Sequence, residues 1–135
     1  MTTDTLLNKS ATIERCIKRA KEEYHKDPST FATDFTRQDA AILNIQRACE
    51  AAIDMAEHLV KERQLGLPQS ARDAFTLLAQ NNLITPDTAN IMKKMIGFRN
   101  IAVHDYQAVQ LPITVSIIEK HLDDFLSFSE QLLRL

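Results

Sequence analysis

The chain has 135 residues, enough for one domain with one core. Its 44% hydrophobic and 25% charged content is that of a water-facing globular protein, and two glycines and four prolines are too few for an all-β chain rich in tight turns. The formal net charge of −2 excludes a protein that coats nucleic acid through bulk positive charge, while leaving room for a local basic site.

Five segments carry helical periodicity. In the first, Leu6, Ile13, Cys16, Ile17, Ala20 and Tyr24 recur at steps of three, four and seven. Asp27-Pro28-Ser29 breaks the pattern, and Phe31 and Phe35 are expected to anchor the connection against the core. The second segment is predicted to begin near Thr36, with Asp39 completing a weak capping box. It runs through Ile42, Ile45, Cys49, Ile53, Ala56 and Val60, with Ala40, Ala41, Ala48, Ala51 and Ala52 interleaved to let another helix come close. Gly66 and Pro68 follow, as expected beyond a helix C-terminus.

The third segment is short, opened by the cap residues Ser70 to Asp73 and buried through Phe75 and Leu78. The fourth opens at Thr85-Pro86 and presents Ile91, Met92, Met95, Ile96 and Phe98. The fifth follows Leu111-Pro112 and carries Ile117, Ile118, Leu122, Phe125, Leu126, Leu132 and Leu133. Nothing alternates long enough to be a strand. Short connections make successive helices antiparallel neighbours, so the fold class is all-α: an up-and-down four-helix bundle with one short additional helix, in a single domain over residues 1–135. No run approaches the roughly 20 apolar residues of a membrane span, and the N-terminus shows no signal-peptide pattern, so the expected compartment is the cytoplasm. Cys16 and Cys49 fall on apolar helix faces and read as buried thiols.

The histidines and carboxylates form no metal-binding pattern. A di-metal bundle needs two Glu-x-x-His pairs, and only Glu22 to His25 supplies one. Two cysteines 33 apart and four scattered histidines give no zinc spacing. There is no glycine-rich phosphate loop and no nucleophile elbow. His25, His58 and His121 read as partly exposed helix residues without a role.

One stretch resists an ordinary reading. Gly97 to Tyr106 is G-F-R-N-I-A-V-H-D-Y, which sets Arg99, Asn100, His104, Asp105 and Tyr106 among apolar residues. A helix C-terminus accounts for part of it, because Arg and His favour the negative end of the helix dipole. A site is the alternative. On a continuous helix Arg99 and His104 point about 140° apart. They converge only if the helix ends near Val103 or a second copy of the chain completes the site. Lys93 and Lys94 lie just upstream, as a solvated face or as weak RNA contacts.

The ordered combination is more specific than the Arg-x4-His-x-Tyr triplet. Ala41 to Gln46 leading into Ala52-Ile-Asp54, then Leu67-Pro68 with Phe75 and Leu78, then Met95 to Tyr106, resembles the HEPN domain of HepT-like toxins from about Ala40 onward. The resemblance implies a metal-independent endoribonuclease without cofactor, acting as a homodimer whose two motifs face each other across a cleft. By motif position Arg99 and His104 are then the catalytic pair, Asn100 is the polar residue that commonly follows the arginine, and Asp105 holds the variable position. The resemblance further implies a partner antitoxin, a minimal nucleotidyltransferase that moves AMP from ATP onto Tyr106. A second reading remains open, a non-catalytic dimeric nucleotide-binding or interaction module partnering a nucleotidyltransferase.

Overall fold

The computed structural model describes residues 2–135, and among these all regular structure is helical. Helix α1 spans Thr2–His25, α2 Phe35–Glu62, α3 Ala71–Gln80, α4 Pro86–His104, α5 Leu111–Lys120 and α6 Leu122–Leu133. Short 3-10 turns at Pro28–Thr33 and Tyr106–Ala108 join α1 to α2 and α4 to α5. Among the described residues no helix is long and apolar enough to cross a membrane.

The two long helices α1 and α2 form the spine. The alanines of α2 do what their size allows: Ala41, Ala48, Ala52 and Ala56 are fully buried, and Ile13, Cys16, Ile17 and Ala20 of α1 share their core. Both thiols are free and buried. Helices α4 and α6 complete the bundle, with Phe75 of α3 edge-on to Phe128 of α6 at 5.3 Å between ring centres.

The turn between α1 and α2 departs from expectation in an informative way. Phe31 is buried as expected, edge-on to Tyr24 at 5.1 Å, but Phe35 is 73% exposed and anchors nothing. The reason is the cap. Asp34, not Thr36, starts α2, its side chain accepting the Arg37 backbone N–H at 3.1 Å, so Phe35 is the first helical residue and faces outward. The inward position falls to Arg37. Its guanidinium donates to the Glu23, Tyr24 and Asp27 carbonyls at 2.8, 3.1 and 2.8 Å and to the Thr30 hydroxyl at 2.9 Å. Carbonyls at the end of α1 that lack helical partners are thereby satisfied by a charged donor.

The other starts fall where expected. Ser70 caps α3 by accepting from the Asp73 N–H, and Thr85 caps α4 by accepting from the Thr88 N–H, with Pro86 opening the helix. Gly66, beyond α2, adopts φ +140°, a backbone region that disfavours any side chain. The last predicted helix is two. It breaks at His121, whose imidazole Nδ1 lies 3.0 Å from Asp124. Ile113, Thr114, Val115, Ile117 and Ile118 upstream are β-branched and weakly helix-forming, so tertiary packing sets the course of this arm.

Candidate active site

Helix α4 stays regular through His104, and the Asp105 backbone N–H closes it onto the Ile101 carbonyl at 2.8 Å. The divergence of Arg99 from His104 inferred from helical spacing therefore persists within one chain. Tyr106 lies just past the helix, at the start of the 3-10 turn. The stretch is both a helix end and a run of polar groups, of which Arg99, Asn100 and Tyr106 are anchored.

Two carboxylates of α2 hold that cluster. Arg99 donates to Glu50 at 3.3 Å and to the Asn100 side-chain oxygen at 3.1 Å. Its Nε is buried without a partner among the described residues, so part of the donor fork is unspent. Tyr106 donates its hydroxyl to Asp39 in a short hydrogen bond. Asp39 and Glu50 are 11 residues apart, about 20° apart around α2 and about 16 Å apart along it. Arg99 and Tyr106 thus hang from one face of α2 at separated points.

Burial, the hydrogen bond to Asp39 and that carboxylate's charge, in that order, hold the Tyr106 phenol well above its ordinary pKa. The residue as a whole is nonetheless 42% exposed. His104 and Asp105 are exposed, and His104 has no hydrogen-bond partner among the described residues. Lys93 is half-buried, while exposed Lys94 sits on the lip of an apolar groove of about 530 Å³ between α4 and α5, lined also by Met95, Phe98, Ile101 and Ile113. The neighbourhood of the motif is apolar and uncovered: Ile101 and Val103 of α4 are 44% and 41% exposed, and Leu43 of α2 is 41% exposed. Among the described residues no three His, Cys, Asp or Glu side chains gather as a metal-binding group.

Asp39 and Glu50 were not singled out as site residues. Asp39 was read only as part of a weak capping box, and Glu50 was given no role. Their shared face, with Gln46 between them, was the available signal.

The family profile of the ribonuclease HepT-like proteins matches residues 13–132 of this chain. The chain belongs to the ribonuclease HepT-like family. Among its relatives is the mRNA nuclease HepT of Shewanella oneidensis, 58% identical over 125 residues that make up 93% of each chain. Two solved structures superpose with a TM-score of 0.93 each. One is a toxin–antitoxin pair with AMP-PNP, 54% identical over 98% of this chain and 99% of that one. The other is a tri-AMPylated HEPN toxin of Shewanella oneidensis in complex with an MNT antitoxin, 55% identical over 98% of both chains. The resemblance seen in the sequence and the all-helical fold are both borne out.

Proposed function

We propose that this HepT-like protein is the toxin of a toxin–antitoxin pair, a cytoplasmic endoribonuclease that works as a homodimer through Arg99 and His104 and is silenced by adenylylation of Tyr106. The observation that carries the reading is the arrangement of the motif itself. A part-buried guanidinium, always charged, and an exposed, unbonded imidazole are both presented at the end of one helix.

The chemistry follows from those groups. RNA carries its own nucleophile in the 2′-hydroxyl. As its oxygen attacks the adjacent phosphorus, the O2′–P bond forms and the P–O5′ bond breaks. The 2′ proton leaves to a neutral imidazole, and the departing 5′ oxygen takes a proton from an imidazolium. The Arg99 guanidinium, always charged, stabilises the extra negative charge on the five-coordinate phosphate. Asn100 holds the guanidinium from one side and Glu50 from the other. The scheme needs no metal ion.

Two copies reconcile this chemistry with the helix geometry. Arg99 and His104 diverge on one α4, so a cleft between two such helices lets one protomer's imidazole act beside its partner's guanidinium. The exposed Leu43, Ile101 and Val103 beside the motif supply apolar surface for that contact.

Tyr106 supplies the control. Its oxygen attacks the α-phosphorus of ATP, the bond to pyrophosphate breaks, and the phenol proton passes to Asp39, already in contact with it. The adduct places phosphate charge on the α2 face that also carries Arg99. Such a group excludes RNA by bulk and by charge. The partner is then a nucleotidyltransferase, in keeping with the MNT antitoxin bound to the relative.

The test is controlled expression in bacteria of the wild type, Arg99→Ala and His104→Ala, each with and without the cognate antitoxin. The wild type alone should arrest growth. Antitoxin should relieve it, with peptide mass spectrometry placing AMP on Tyr106. Arrest by the His104→Ala protein, or relief with Tyr106 unmodified, would contradict the proposal.

A further inference from the structure

The net charge of −2 hides a local concentration of cations. A groove of about 320 Å³ runs between α1 and α2, lined by Arg15, Arg19, Asn44, Arg47 and Glu50 and by the Lys9–Asp54 ion pair at 2.9 Å. Arg15 and Arg47 come from different helices, α1 and α2, and line the same groove. Neither has an acidic partner among the described residues within ion-pair distance. Arg19 has only a loose pairing with Glu23 at 3.9 Å, its own side chain 53% exposed. Positions 15 and 19 are one helical turn apart, so their guanidiniums follow one another along the groove wall.

A second feature adds a hydrogen-bond acceptor to the groove. Asn44 is only 8% exposed, and its amide nitrogen is committed to the Ala40 carbonyl at 2.8 Å. Its side-chain oxygen accepts no hydrogen bond among the described residues and is open to solvent. A third is position. Glu50 lines the groove and also holds Arg99, so one end of the groove meets the catalytic motif.

Phosphodiester chains fit these features. Unpaired guanidinium forks bind phosphate oxygens without first breaking an ion pair. A free amide oxygen accepts from a ribose 2′-hydroxyl, the group that separates RNA from DNA. We propose that the α1–α2 groove carries the single-stranded RNA segment flanking the cleaved bond, with Arg15, Arg19 and Arg47 on its phosphates and Asn44 facing a ribose. This rests on the ribonuclease reading and adds where the substrate lies.

The test separates the two. Fluorescence anisotropy with a labelled single-stranded 12-nucleotide RNA is read in the His104→Ala protein, where binding does not depend on cleavage. Adding Arg15→Gln and Arg47→Gln should weaken binding tenfold or more. It should also flatten the dependence of log affinity on log salt by about 1.4, at about 0.7 per lost phosphate contact. Lysine at both positions should restore most of the slope, and Arg134→Gln should change nothing. In protein with His104 intact, the double glutamine variant should raise KM and keep kcat within about twofold. Unchanged RNA affinity and slope would overturn the groove. So would lost capture of the antitoxin with RNA binding retained, which would assign the surface to that protein. Absence of RNA cleavage by the wild type would count against the enzymatic reading alone, while the anisotropy arm still judges the groove.

Discussion

Replacing Asp39 with asparagine keeps the size of the side chain that holds Tyr106 and removes its charge. The hydrogen bond to the hydroxyl changes from charge-assisted to neutral, a loss of about 1 kcal/mol on typical values. One pKa unit corresponds to about 1.4 kcal/mol. With Tyr106 42% exposed, solvent screening keeps the effect in the lower part of that range, so the phenol should move down by somewhat less than one unit. Burial, the largest cause of the upward shift, is untouched, so the shift shrinks without vanishing. Absorbance at 295 nm follows it directly, because the chain has only two tyrosines. The other, Tyr24, is held high by its own bond to Glu119 at 2.6 Å and serves as an internal reference. Linkage fixes the sign for stability. A phenol whose folded pKa is raised contributes stability that is fully present below about pH 10 and is lost as pH rises through the folded value. Asp39→Asn should therefore lose less of its Tm than the wild type does above pH 10. The same variant should slow AMP transfer, since the base in contact with the phenol proton is gone. A 295 nm titration that superposes on the wild type, or that moves both phenols equally, would refute the reasoning.

Three other predictions concern the scaffold. Phe75→Ala empties a fully buried position against Phe128 and should cost about 3–5 kcal/mol in urea unfolding; a loss under 1 kcal/mol would show that the α3–α6 contact is not part of the core. Asp34→Ala removes the α2 cap and should cost about 1 kcal/mol by the same measurement, whereas a neutral result would return the helix start to Thr36. Cys16 and Cys49 are buried with thiol pKa values pushed up by desolvation, so neither should react with a thiol reagent at pH 8 until the protein is denatured; rapid native labelling of either would contradict its placement.

The residues that were legible in the sequence are those whose role is local. Ser70, Thr85-Pro86 and Gly66 announce helix boundaries through backbone chemistry a few residues long, and the structure keeps each of them. The alanine-rich face of α2 announced close helix packing for a similar reason. What escaped depends on partners distant in the chain. Phe35 looked like an anchor because it is large and apolar, but the Asp34 cap turns it outward and gives the inward position to Arg37, whose acceptors lie up to 14 residues away. The break at His121 follows from packing of a β-branched arm that any periodicity count joins into one helix. In the site, the motif was visible because its groups sit within eight positions. Asp39 and Glu50, reaching across from α2 over separations of 67 and 49 residues, were not. The basic groove was hidden likewise, since its arginines are contributed by two helices and diluted in a chain that is acidic in total.

The central claim is that Arg99 and His104 cleave RNA using the substrate's own 2′-hydroxyl. The measurement that meets it most directly is a time course of end-labelled RNA cleavage by purified protein in excess EDTA, with the product ends identified. The account predicts undiminished activity in EDTA, fragments ending in 2′,3′-cyclic phosphate and 5′-hydroxyl, and a loss of about 100-fold or more for His104→Ala with its dimer and Tm intact. Cleavage that stops in EDTA and returns with a divalent metal, or an active His104→Ala protein, would contradict it.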